Sequence, residues 1–239
     1  MNVAEINKDI NKKGLFLETY RSYSSFINKS PIREIFKISC EKQVLNIKKN
    51  EYLFHENESA RGVFMVISGK LKIISDSNKG LQNMLYIVKP GDILGIHALV
   101  NGHNYTNSAI AMVSSEICFI PGTEFNELIN QNNDYKMLIM KLLCSKIDLL
   151  ENQMTNMSNK SVTERFAELL IFLFDTYGTN NKNNLKLELN IEDLSKMTGT
   201  SRQYFSKIIS EFCLKKIINY EDNYIKILNR KELENIANF

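Results

Sequence analysis

No stretch of this 239-residue chain approaches the roughly 20 consecutive apolar residues that a membrane-spanning helix needs. The N-terminal run MNVAEINKDINKK lacks the apolar centre of a secretory signal. Cysteine is sparse. The four residues Cys40, Cys118, Cys144 and Cys213 are scattered without CxxC or other ligand spacing, so each is expected to be a small buried residue or a free thiol. These absences point to a reduced, cytoplasmic protein without a membrane segment. Net charge is scarce too. Thirty Lys and Arg against 27 Asp and Glu leave +3, too little to imply a nucleic-acid partner and wrong for a protein that coats DNA in bulk. The signatures of catalysis are also missing. There is no phosphate-binding loop, no nucleophile elbow, no His-x-x-x-His pair and no convincing pair of carboxylates, so no enzyme is expected.

What is present is organised in three grammars, and the length suits two modest domains. Residues 44–128 are short alternating or apolar runs such as VFMVISGKLKIIS (63–75), LQNMLYIVKPGDILG (81–95) and SAIAMVSSEICFIP (108–121), punctuated by Gly69, Gly80, Gly91 and Gly95. Strands of this length with turn signals about every ten residues predict an antiparallel β-roll. Pro90-Gly91-Asp92 reads as a turn, and Gly122-Thr123-Glu124-Phe125 opens a short helix. Residues 135–157 then read as one helix. Leu143, Ile147, Leu150, Met154 and Met157 recur at spacings of 4, 3, 4 and 3, a heptad seam suited to a parallel dimer. Leu138, Ile139, Leu142 and Leu149 are additional apolar residues with which the same helix can pack on its own roll. The polar stretch TNMSNKS (155–161) reads as a hinge, and Ser161 with Glu164 forms a capping-box pattern that starts the next helix.

The segment IEDLSKMTGTSRQYFSKIISEF (191–212) predicts a helix, a tight turn and a second helix. Asn190 is placed to cap the first helix and Asp193 stands in its first turn. Gly199 suits a left-handed turn, and Thr200 or Ser201 is placed to cap the second helix. Phe205, Ile208, Ile209 and Phe212 fall at i, i+3, i+4 and i+7, a stripe to be buried. Arg202, Gln203, Ser206 and Lys207 lie off it. Two helices crossing at a short turn can lower the second into a DNA major groove, where such side chains reach base edges and phosphates. IINYEDNYIKIL (217–228) then alternates as two strands around Glu221-Asp222-Asn223, which makes the unit a winged helix. Residues 161–239 carry eleven Lys and Arg against eleven Asp and Glu, yet within 200–216 Arg202, Lys207, Lys215 and Lys216 face only Glu211, a local +3. DNA affinity must come from that patch and fall steeply with salt.

FMVISGKLKI with Gly69, PGDILG (90–95), VTERFAELLIFL and LSKMTGTSRQYFSKII, in this order, resemble the CRP/FNR family of bacterial transcription regulators over residues 40–230. The resemblance implies an α+β chain. A helical lead-in (1–40) precedes a β-roll sensor domain (41–132) similar to a cyclic-nucleotide-binding jelly roll, a dimerisation helix (133–157) and a winged-helix DNA-binding domain (158–239). It implies a homodimer on a two-fold symmetric promoter site in double-stranded DNA, with RNA polymerase a possible further partner. The DNA-contacting set is then Thr200, Ser201, Arg202, Gln203, Ser206, Lys207 and Lys215. The family's recognition helix typically reads R-E-T-V-x-R; here Gln203 replaces the acid, and Gln can pair with adenine. Lys207 replaces an arginine, and Lys donates without a rigid fork.

The family pattern fails at the effector pocket, which the resemblance places at Gly95, Ile96, His97, Asn107 and Ser108. Cyclic-AMP binders carry G-E-L and, about ten residues on, an Arg-Ser/Thr pair. Here the two places read Gly95-Ile96-His97 and Asn107-Ser108-Ala109, without the acid for the ribose or the cation that a cyclic phosphate needs. This argues against cyclic AMP and for an uncharged effector or none. A carbon-monoxide-sensing member with haem carries GDxFCxH; GDILGIH (91–97) places His97 at its haem histidine but Gly95 at its cysteine. A lone histidine is more often structural, so no cofactor is expected, with haem on His97 the alternative. His55 and His103 have no ligand spacing. A single cysteine near the N-terminus excludes the cysteine cluster of the iron–sulfur branch. The competing functional reading is a small-molecule sensing module that acts through protein partners rather than DNA.

Overall fold

The computed structural model describes residues 43–76 and 82–237; the expected lead-in (1–40), Cys40 and Gly80 lie outside them. The chain divides into two units, the first ending at Lys146 and the second running from Ile147 to the C-terminus.

The first unit is the expected roll. Its strands are β1 (Val44–Ile47), β2 (Tyr52–Phe54), β3 (Gly62–Ser68), β4 (Leu71–Asp76), β5 (Gln82–Val88), β6 (Ile93–Leu94), β7 (Ser108–Ala111) and β8 (Ser115–Pro121). They form two antiparallel sheets of four strands, ordered β1-β8-β3-β6 and β2-β7-β4-β5. The chain leaves one sheet for the other at Gly69, where φ is +92° and an added Cβ would stand 2.1 Å from the Ser115 hydroxyl. A side chain there is excluded by both backbone and space. Phe64 and Val66 of β3 join Phe54, Leu71, Ile73 and Ala109 in the core between the sheets. Val63 and Met65 point the other way and pack with Phe125, Ile139 and Leu142. Burial on both faces explains why β3 reads as a continuous apolar run rather than an alternating one.

Helix α1 (Ile96–Asn101) lies between β6 and β7, and α2 (Gly122–Gln131) and α3 (Asn133–Asn159) follow β8. Ile139 and Leu142 of α3 are buried on the roll, with Leu138 and Leu143 packed half-buried beside them. Leu143, expected in the dimer seam, thus spends part of its surface on its own roll. The exposed large apolar residues of α3 are Met137, Met140, Ile147 (53%), Leu150, Met154 (71%) and Met157, and Cys144 is exposed among them. The expected seam residues from Ile147 onward are exposed on this chain, while Met137, Met140 and Cys144 extend the apolar face beyond the heptads read from sequence. The expected hinge at 155–161 is corrected as well. The helix continues to Asn159, and within it the Thr155 and Ser158 hydroxyls donate back to the carbonyls of Glu151 and Met154, at 3.0 and 3.2 Å. Polar side chains that bond inward in this way look like loop in sequence yet remain helical. Cys118, fully buried in β8, is disulfide-bonded, against the expectation of unpaired cysteines in a reduced protein, whereas Cys144 and Cys213 are free.

The second unit takes in the end of α3 and then α4 (Val162–Tyr177), started by the predicted capping box between Ser161 and Glu164. It continues through α5 (Ile191–Met197), α6 (Arg202–Leu214), the hairpin β9 (Ile218–Glu221) and β10 (Tyr224–Ile227), and α7 (Arg230–Ile236). Its core centres on Phe166 of α4, fully buried, whose ring meets Phe205 edge-on at 4.7 Å and Phe212 at 5.3 Å. The hairpin is braced by segment 185–189, whose Leu185 and Leu189 amides donate to the Ile225 and Asn223 carbonyls. Arg230 binds Asp175 through two nitrogens, at 2.8 and 3.2 Å, and so ties α7 to α4. Truncating Phe166 to Ala should therefore destabilise this unit by about 3–5 kcal/mol. In urea unfolding followed by circular dichroism, a transition assigned to the roll should stay in place while the winged-helix transition moves to lower denaturant.

Candidate nucleic-acid interface

The recognition element is built from local capping outward. The Asn190 side chain accepts the Asp193 amide at 2.7 Å, which starts α5 where predicted. At the far end of α5 the Thr198 hydroxyl donates to the Leu194 and Ser195 carbonyls, and Gly199 turns the chain with φ +66°. Of the two candidates for the next cap, Ser201 takes the role, accepting the Tyr204 amide at 3.3 Å. Phe205, Ile208, Ile209 and Phe212 are all buried as a stripe. At roughly 1.5–3 kcal/mol for each such side chain, this stripe fixes the rotation of α6 about its axis.

That rotation sets what faces outward. Gln203, Lys207, Ser210 and Leu214 recur at 4, 3 and 4 along the middle of the exposed face. Arg202 and Ser206 flank them on one side, Tyr204 and Glu211 on the other. Among the described residues Arg202, Gln203 and Lys207 are exposed and have no side-chain partner. Thr200 is half-exposed and Ser201 exposed at the N-terminus of α6. Ser206 donates its hydroxyl to the Arg202 carbonyl at 2.9 Å, which leaves the oxygen free to accept. Lys215 differs from the other basic residues of the patch. It is paired with Glu211 at 2.6 Å, and the hydrogen bond and Coulomb attraction of that carboxylate hold its ammonium above the ordinary lysine range. The unpaired charge of the patch is therefore concentrated on Arg202, Lys207 and Lys216. Tyr204, half exposed on the rim, was given no role by sequence; its place on the face follows only from the direction of the buried stripe.

The wing turns at Asp222 and Asn223, both at positive φ (49° and 64°), as a two-residue hairpin turn of the primed type requires. Its tip carries Glu221 and Asp222, beside an open polar cleft shared with Asn180, Lys182 and Lys186. In the roll, the residues assigned to an effector have different surroundings. Gly95 precedes α1 with φ +86°. Ile96 is sunk in the apolar core, and His97 is exposed with its Nε2 3.1 Å from the Asn101 amide nitrogen. Asn107 is half-buried and within 3.5 Å of the Thr106 hydroxyl. Ser108 is buried, its hydroxyl oxygen accepting the Glu56 amide at 2.8 Å. Tyr105 stacks on Phe54 at 4.1 Å in the adjacent core. Among the described residues no group of three or more His, Cys, Asp or Glu is placed to hold a metal ion.

Residues 44–132 match the cyclic nucleotide-binding domain and residues 164–236 the Crp-like helix-turn-helix domain. The chain belongs to the CRP/FNR family of transcription regulators. It is 24% identical to the fumarate and nitrate reduction regulatory protein of Vibrio cholerae over 88% of this chain and 84% of that one. It is 25% identical to the transcriptional activator protein Anr of Pseudomonas aeruginosa over 78% of this chain and 77% of that one. Among solved structures, a CRP/FNR-family regulator of Eubacterium rectale superposes with a TM-score of 0.71 at 18% identity, covering 86% of this chain and 94% of that one. Family and relatives are regulators with a DNA-binding helix-turn-helix, not enzymes. No described helix is long and apolar enough to cross a membrane. Replacing the cap Ser201 by Ala should cost about 1 kcal/mol, seen as faster amide exchange in the first turn of α6 with the wing amides unchanged.

Proposed function

We propose that this regulator binds a two-fold symmetric promoter site as a homodimer in the cytoplasm, with an effector that is not a cyclic nucleotide, or with none. The observation that carries the reading is the outward face of α6, on which Arg202, Gln203 and Lys207 stand exposed and unpaired above a fully buried stripe. Arg202 contacts phosphate or guanine, and Gln203 reads adenine through its amide. Lys207 donates to guanine or phosphate, and Ser206, with Thr200 and Ser201 at the helix N-terminus, completes the contact set. Lys215 reaches the backbone only by exchanging Glu211 for a phosphate. Dimerisation runs along the exposed apolar face of α3, Ile147, Leu150, Met154 and Met157, with Leu143 at its roll end. Two copies then present recognition helices about one helical turn of DNA apart, roughly 34 Å. A promoter-bound dimer that activates also touches RNA polymerase.

The acidic wing tip, Glu221 and Asp222, supports the second reading, in which a protein partner rather than DNA occupies the winged helix. Gel shifts on duplexes selected from a random pool, repeated across salt, separate the two. Lys207→Ala should weaken binding and lower the slope of log affinity against log salt by about 1. Gln203→Ala should cost about 1–3 kcal/mol and remove the preference at one base pair of each half-site. No salt-dependent binding to any duplex, or binding indifferent to both changes, would favour the protein-partner reading. Absorbance and mass spectrometry of the natively purified protein test the effector. A Soret band that vanishes in His97→Ala would establish haem, and an added mass would reveal a retained metabolite.

A further inference from the structure

We propose that Arg165 is a positioning residue for DNA recognition. Its guanidinium clamps the end of the long helix α3 to the turn of the helix-turn-helix, so that the dimer seam dictates the pitch of the recognition helix. The proposal rests on the dimeric DNA-binding reading above. The last carbonyls of a helix have no partner within it and attract cations. Arg165, one turn into α4, donates through Nη1 to two carbonyls at that end, Lys160 at 2.6 Å and Met157 at 3.4 Å. Its Nε turns to the opposite side and donates to the Thr198 carbonyl at 3.0 Å. Thr198 closes α5, is 1% exposed, and lies three residues before the Ser201 cap of α6. One planar group thus bridges the end of the seam helix and the start of the recognition helix, a geometry that a lysine's single nitrogen does not reproduce. The contact is continuous with the seam itself, since a Cβ on Gly199 would stand 3.3 Å from the Cε of Met157.

A second set of bonds locks the same joint. Lys160, between α3 and α4, donates to Glu168 Oε2 at 2.9 Å and to the Ala237 carbonyl at 3.3 Å, and Asn156 of α3 donates to the same carboxylate oxygen at 3.1 Å. The two charged side chains are 11% and 4% exposed. Glu168 Oε1 is buried with no partner among the described residues. A buried ion pair adds little net stability against an apolar pair of the same size, and an orphaned oxygen subtracts from it. What the pair does supply is a fixed position for the end of α3 against α4 and the C-terminal helix. Neither end of the joint can turn without stranding buried polar groups.

The test uses the full chain and an operator selected from random duplexes, together with versions whose half-sites are one base pair closer or further apart and a duplex holding a single half-site. Arg165→Lys should retain its circular dichroism and its mass by light scattering. Affinity for the preferred operator should fall about tenfold, with the preference among spacings flattened and single half-site binding within about twofold of wild type. Amide exchange at residues 198–201 should quicken while residues 218–227 stay protected. Glu168→Gln should move the same two readouts in the same direction, and it decides the matter if Arg165→Lys does not fold. A uniform loss at every spacing and at the half-site, or unchanged exchange at 198–201, overturns the proposal. If the wild type binds no duplex at all, the DNA-binding reading fails, and the exchange measurement alone decides whether the clamp exists.

Discussion

The burial of Phe205, Ile208, Ile209 and Phe212, the two phenylalanines against Phe166, is the constraint from which the chemistry of the C-terminal unit follows. A helix with four adjacent core residues has one allowed rotation. Everything opposite that stripe must face solvent, whatever its affinity for a partner. The apolar residues therefore aim Gln203 and Lys207, and the polar residues inherit the direction. The capping side chains do the complementary job along the axis. Ser201 fixes where α6 begins, so Arg202 and Gln203 fall in its first turn, where backbone amides and the helix dipole also favour a phosphate.

Much of this was legible from residues. The spacing of the buried stripe, the left-handed Gly199 and the capping box at Ser161 are local signals with single physical causes, and each stands where the sequence put it. The roll was legible as a class because its strands are short and punctuated, but not in its sheet order. Which strands pair depends on contacts between residues far apart in sequence, such as Val63 with Ile120. The errors have the same origin. The stretch 155–159 is polar and reads as loop, yet its hydroxyls find carbonyls one turn back. Leu143 fits the heptad as well as any residue, and only the position of the roll shows that it is half taken by the core. Tyr204 stands off the buried stripe and Glu211 lies four residues before Lys215, so the exposure of the one and the ion pair of the other follow from helical spacing.

Helix α3 carries two apolar faces, one buried on its own roll and one exposed. Ile139 and Leu142 are satisfied within the first unit. Ile147, Leu150, Met154 and Met157 are not satisfied within the second. A contiguous apolar stripe of this length on a single chain is rarely left in water, and methionine-rich stripes adapt to a facing copy at little cost in strain. The switch from one face to the other along the helix is why a strict heptad count only partly described it.

Charge explains how a formally neutral domain can still select DNA. Bulk attraction scales with the number of phosphates neutralised, and this surface has few cations to offer. Lys215 is paired to Glu211, and the wing tip carries Glu221 and Asp222, so on the proposed function a misplaced duplex meets carboxylates as well as cations. On the proposed function, non-specific binding is weakened more than specific binding, because only the register that brings Arg202, Gln203 and Lys207 onto bases and phosphates recovers the lost attraction. Specificity is a difference between two affinities. Lowering the non-specific one widens that difference as surely as adding a contact, provided the helix bearing those three residues is held rigidly enough to find its register.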